Sequence, residues 1–109
     1  IQAPQDLTTM FQEVKVMVGE AIKAFDEQNE ERARKVLIRD HKVDALKNKI
    51  FREIIELIKG PTHCDIEQGL NLILIARNLE RLGDHATNIA EDVIFTISGE
   101  DIRHSSQFE

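Results

Sequence analysis

The sequence predicts an all-α protein, a long antiparallel three-helix bundle running up-down-up. Three observations carry that expectation. Apolar residues recur at spacings of three and four through most of the chain, the pattern of amphipathic helices. The rhythm breaks at two places, Asp26 to Asn29 and Gly60 to His63. No stretch alternates apolar and polar residues as a half-buried strand does. Helices joined by such short connections must lie antiparallel and bury their apolar seams together.

The first helix is expected over residues 6–26, with a seam of Leu7, Met10, Val14, Met17, Ala21 and Phe25. The polar stretch Asp26-Glu27-Gln28-Asn29 ends it, and Asn29 is an N-cap residue for a second helix over 30–59. Gly60-Pro61-Thr62-His63 is a helix stop followed by a loop. Asp65 then caps a third helix over 65–98, with Gln68 completing a capping box. Its seam is expected to be Leu72, Ile75, Leu79, Leu82, Ala86, Ile89 and Val93. Gly99 closes the pattern, and the polar tail 99–109 is expected to fray. At about 1.5 Å per residue the helices are roughly 30–50 Å long. Residues 1–109 thus form a single three-helix repeat.

Composition narrows the function. A chain of 109 residues, 41% hydrophobic and 31% charged, is a folded domain with one core. With no Trp or Tyr and five Phe, that core is mostly aliphatic. The longest apolar run, Leu72 to Ala76, is too short to cross a bilayer, and no signal-peptide pattern is present. The single cysteine, Cys64, cannot form an internal disulfide, which fits a reducing compartment. A net charge of −6 with no basic stripe argues against nucleic acid and favours cations as ligands.

The second helix violates its own pattern. With Val43 as zero and about 100° per residue, Val36, Ile50 and Ile54 fall within about 20° of it. On the same wheel Asp40 sits at about 60° and Asp44 at about 100°. A carboxylate inside an apolar arc is costly unless it is paired or bound to a cation. The third helix repeats the spacing with Glu80 and Asp84, on a stripe that starts at Arg77 and continues through Asn88 and Glu91. Two acid-x-x-x-acid pairs facing each other would give an oxygen-rich site for a hard cation. Asp40, Asp44, Glu80 and Asp84 are therefore the candidate metal ligands. His41, His85, Asn88, Glu91, Arg77 and Arg81 are secondary candidates that can support them. The competing reading is a solvated face, with Arg81 neutralising Asp84 three residues on.

Enzyme readings find no support in the motifs. A ferritin-like di-iron oxidase needs Glu-x-x-His on facing helices, and neither His41 nor His85 has a Glu three residues earlier. There is no glycine-rich phosphate loop and no G-x-S-x-G elbow. His63 and Cys64 adjoin in a loop without a zinc set around them.

The segment Arg77-Asn78-Leu79-Glu80-Arg81-Leu82-Gly83-Asp84-His85-Ala86-Thr87-Asn88-Ile89-Ala90-Glu91-Asp92-Val93 closely resembles the signature of the PhoU phosphate-uptake regulators. Asp40-His41-Lys42-Val43-Asp44-Ala45-Leu46 is similar to the partner motif of that family, and Gly99 to His104 resembles its closing segment. Family members usually carry two such repeats, so this chain, which begins at Ile1, resembles the second of a longer protein. The resemblance implies a cytoplasmic negative regulator of the phosphate-starvation response. It implies partners at the inner face of the membrane, namely a phosphate ABC transporter ATPase and a sensor histidine kinase. With the other repeat absent, the chain is expected to form a homodimer in its place or to expose an apolar edge. It also implies a metal ion (Fe, Zn, Mg, Mn or Ca) on Asp40, Asp44, Glu80 and Asp84. The rival expectations are a metal-storage or carboxylate-metal redox protein, a metal-free helical interaction module, and a PhoU-like domain serving another transporter or a transcription regulator.

Overall fold

The computed structural model describes residues 4–60 and 66–99. Three helices, α1 (Gln5–Glu27), α2 (Glu30–Lys59) and α3 (Ile66–Ser98), pack pairwise into one bundle, and the described residues contain no strand. The molecule measures 54 × 29 × 17 Å. Its long axis is thus about that of α3 alone, at roughly 1.5 Å per residue.

The α1–α2 connection is built from local chemistry. Gln28 takes the left-handed conformation (φ 51°, ψ 49°). It directs its own amide to Phe25 O and that of Asn29 to Ala24 O, satisfying the last carbonyls of α1. The Asn29 side chain accepts a hydrogen bond from the Arg32 amide at 3.0 Å, the expected N-cap. At its other end α2 stops at Lys59, with the Gly60 amide donating to Glu56 O. Gly99 stands at φ 73°, where a side chain would be strained, and its amide donates to Phe95 O. The expected Asp65–Gln68 capping box, the loop carrying His63 and Cys64, and the tail from residue 100 onward involve positions outside the described residues.

Leu7, Met10, Val14, Met17, Ala21 and Ala24 of α1 meet Ala33, Val36, Val43, Ile50 and Ile54 of α2 in the core. Two expectations are corrected. Phe25 is 63% exposed, and the adjacent Ala24 is buried in its place. On α3, Leu79, Ala86 and Val93 are buried as expected and Leu72 and Ile89 partly so, but Ile75 and Leu82 face outward. The buried column is instead Gly69, Ala76, Gly83 and Ala90, one small residue every seven. Hydrophobicity singles out the large side chains; close approach of helix backbones selects the small ones. The displaced Ile75 and Leu82, with Phe11, Ile22 and Phe25 of α1, leave exposed apolar surface, and Ile22, Phe25 and Ile89 line a shallow hollow of about 260 Å³.

Charge sets the register between α1 and α2. Asp6, Glu13, Glu20 and Glu27 recur every seven residues along α1. Asp6 pairs with Lys49, Glu13 with Arg39 and Lys42, and Glu20 and Glu27 with Arg32. The acidic column climbs α1 while its partners descend α2, as antiparallel helices require. A basic stripe is therefore present on α2 after all, but it is spent on carboxylates within the bundle. Each such pair contributes at most about 1 kcal/mol. The series still opposes sliding, because a shift of one turn would misalign every pair.

Candidate functional site

Ala33, Asp40, Lys47 and Ile54 follow one another at intervals of seven along α2. The two outer members are fully buried. The inner two are charged groups set into a core column, and they define the site.

Asp40 is half-buried. Opposite it stands Gly83 of α3, where an added Cβ would lie 3.9 Å from Asp40 Oδ1, Val14 Cγ2 and Met17 Cε. The carboxylate thus lies beside the place a side chain would take, at ordinary contact distance, close to the α3 backbone and the apolar groups of α1. Burial pushes its carboxyl above the ordinary carboxylate range; the charges of Asp84, Asp44 and Glu80 add to the rise, and His41 opposes it. The other three expected carboxylates are therefore near enough for their charges to act on Asp40.

Lys47 is the member that the sequence reading missed. Its Nζ lies 3.0 Å from Asp44 Oδ1 and also contacts Glu80 Oε2, bridging the two helices. Its side chain is only 19% exposed. The hydrogen bonds to Glu80 and then to Asp44 hold the ammonium above the usual lysine range. On the wheel that exposes Asp40, Lys47 falls at about 40°, inside the apolar arc; that position was the available signal. The four carboxylates thus divide into two sorts. Asp44 and Glu80 share a cation, whereas Asp40 and Asp84 have no ion-pair partner among the described residues.

The secondary candidates contribute less. His41 is exposed but near enough to Asp40 to act on its charge. His85, Asn88, Arg77 and Arg81 are exposed, and Glu91 is half-buried. The Arg81–Asp84 ion pair of the competing reading is not among those of the described residues; the Asp84 main-chain carbonyl accepts a hydrogen bond from Thr87 Oγ1 at 2.8 Å.

The donor chemistry suits a hard cation, since Asp84, Asp44 and Glu80 place negative charge near the half-buried Asp40 carboxylate. Among the described residues, however, no three His, Cys, Asp or Glu side chains converge closely enough to form a ligand cage. Open hollows of about 380 and 390 Å³ lie at the α1–α2 turn and along α1, and neither takes in the four carboxylates.

The PhoU domain model matches residues 7–93, a span that includes all four carboxylates and Lys47. A Xylella fastidiosa protein is 39% identical over 76% of this chain and 35% of its own length, and a Caulobacter vibrioides protein is 40% identical over 76% and 36%. A Thermotoga maritima protein is 36% identical over 91% of this chain and 42% of its own length. All three are named phosphate-specific transport system accessory protein PhoU homologs. The chain thus spans well under half the length of these curated relatives. No solved structure matches it. With nearly all of its core and both acid pairs inside the matched span, the chain belongs to the PhoU domain family.

Proposed function

We propose that this chain is the helical, cation-binding part of an accessory protein of a phosphate-specific transport system, and that it works by contact and not by catalysis. The observation that carries the reading is the match over residues 7–93, which joins the relatives' transport-accessory name to the acid pairs of α2 and α3. In this reading the protein is a negative regulator of the phosphate-starvation response. It contacts the transporter's ATPase and a sensor histidine kinase on the cytoplasmic side. No helix of the described residues is long and apolar enough to cross a membrane. The exposed apolar surface of α1 and α3 supports protein contacts, a homodimer included.

Asp40, Asp44, Glu80 and Asp84 would hold the ion. Iron, zinc, magnesium, manganese and calcium all accept oxygen ligands, the last three with the strongest preference for them. The ion's contribution would be positive charge that offsets repulsion among the carboxylates. A second reading, a metal-free interaction module, draws on the bridge from Lys47 to Asp44 and Glu80, which already compensates half the set.

The regulatory reading is tested in a deletion strain with a phosphate-responsive reporter. Derepression, restored by the wild-type gene, is expected, together with co-purification of the transporter ATPase or the kinase. Unchanged phosphate control would overturn it. The cation reading is tested separately by calorimetric titration, where Asp40→Asn with Asp84→Asn should abolish binding.

A further inference from the structure

Lysines along α2 differ sharply in their surroundings. The side chains of Lys35, Lys42 and Lys49 are 66%, 62% and 58% exposed, whereas that of Lys47 is 19% exposed. Lys47 occupies the core column with Asp40, and its ammonium bridges a carboxylate on its own helix to one on α3. It is not a solvated lysine that swings past an acid. It is held between a carboxylate of α2 and one of α3.

We propose that Lys47 is a built-in counter-cation that competes with a divalent metal ion for Asp44 and Glu80. The inference rests on the cation-binding reading above and deepens it. A divalent ion between the two helices needs the oxygens that Lys47 occupies, and like charges a few ångströms apart in a partly desolvated site repel strongly. Metal therefore enters only as the ammonium leaves. With Lys47 seated, the ammonium takes the Asp44 and Glu80 oxygens that a metal ion would need. The apo protein is in this way stabilised without metal, and affinity is held down to the level at which metal supply controls occupancy.

Manganese titration by calorimetry on wild type, Lys47→Met, Lys35→Met and Asp40→Asn/Asp84→Asn tests this. Lys47→Met keeps the stem and removes the charge, and it should bind Mn²⁺ at least tenfold more tightly than wild type. Lys35→Met makes the same change in net charge at an exposed position and should stay within twofold. If wild type and Lys47→Met bind alike while the double variant does not bind, the metal site stands and the role of Lys47 is overturned. If none of them binds Mn²⁺, the metal reading falls and the competition falls with it. A measurement on wild type covers the case in which Lys47→Met does not fold. The ammonium protons of Lys47, slowed in exchange by its two acceptors, should lose their NMR signal as Mg²⁺ saturates the site. Retention of that signal at saturation would overturn the proposal.

Discussion

Asp40 of α2 faces Gly83 of α3, its Oδ1 lying 3.9 Å from the point where a Cβ on Gly83 would stand. That distance is ordinary van der Waals contact, so the glycine is not required by sterics. What its absent side chain preserves is room beside a half-buried carboxylate.

Gly83→Ala should therefore fold, and two opposing effects should decide its stability. Alanine in a helix interior gains about 1 kcal/mol over glycine, equivalent to a rise of roughly 4–8 °C for a domain of this size. The added methyl also takes water from the Asp40 carboxylate, a cost felt only when that group is ionised. The gain should be full near pH 4 and smaller at pH 7. Thermal melts at both values check it, and a loss of stability at pH 4 would show that the helices cannot accept the methyl.

Asp40 should also reveal itself through pH. Its carboxyl is raised in the folded state, chiefly by burial, so the fold binds a proton that the unfolded chain has already released. The resulting destabilisation is absent below the ordinary value of 3.8. It grows as pH rises through the folded value and is complete above it. Asp40→Asn should stabilise the metal-free protein at pH 7, on the order of 1 kcal/mol, with the gain shrinking towards pH 4. Denaturant melts across that range follow the difference, and a gain independent of pH would point to packing instead of charge.

Glu13 should give the opposite profile. Its side chain is 15% exposed, and the hydrogen bond from Lys42, helped by the charges of Lys42 and Arg39, holds its carboxyl below the usual range. That contribution is present above the unfolded value of 4.5 and is lost as pH falls through the depressed folded value. Glu13→Gln should cost about 1 kcal/mol at pH 7 and much less in acid. Glu31, 85% exposed and 4.0 Å from Lys35, is the comparison, and Glu31→Gln should change nothing measurable.

These residues also mark what the sequence made legible. The α1 seam from Leu7 to Ala21, the Asn29 cap and the Gly99 stop are local features that residue type and spacing place; only Phe25 at the end of the seam gives way to Ala24. Asp40 was visible because a single helical wheel set it among Val36, Val43, Ile50 and Ile54. Lys47 occupied the same arc but escaped notice, because a lysine between an apolar and a polar face is normally solvated. Its meaning depends on Glu80, and their pairing follows from the packing of α2 against α3. The α3 core is legible only in part, with Leu79, Ala86 and Val93 buried as expected and Ile75 and Leu82 not, for a related reason. Close helix contact favoured Gly69, Ala76, Gly83 and Ala90 over Ile75 and Leu82, and hydrophobic periodicity gives little weight to glycine and alanine.

The partition of the acidic set leads to a sign difference that sequence spacing would not anticipate. Treated as four equivalent repelling carboxylates, any of them should stabilise the metal-free bundle on neutralisation. Glu80, however, accepts from Lys47, which also pairs with Asp44. Glu80→Gln leaves a mostly buried ammonium with one charged partner in place of two, and should destabilise by about 1 kcal/mol. Asp84 has no cation partner among the described residues, and its charge weighs on Asp40. Asp84→Asn should therefore stabilise by a few tenths of a kcal/mol, as expected for an exposed like-charge contact. That gain should vanish in an Asp40→Asn background, because the charge it relieved is gone. Urea melts in metal-free buffer on the two single variants and the Asp40–Asp84 cycle measure all three quantities. Equal signs for Glu80→Gln and Asp84→Asn would mean that Lys47 does not divide the set.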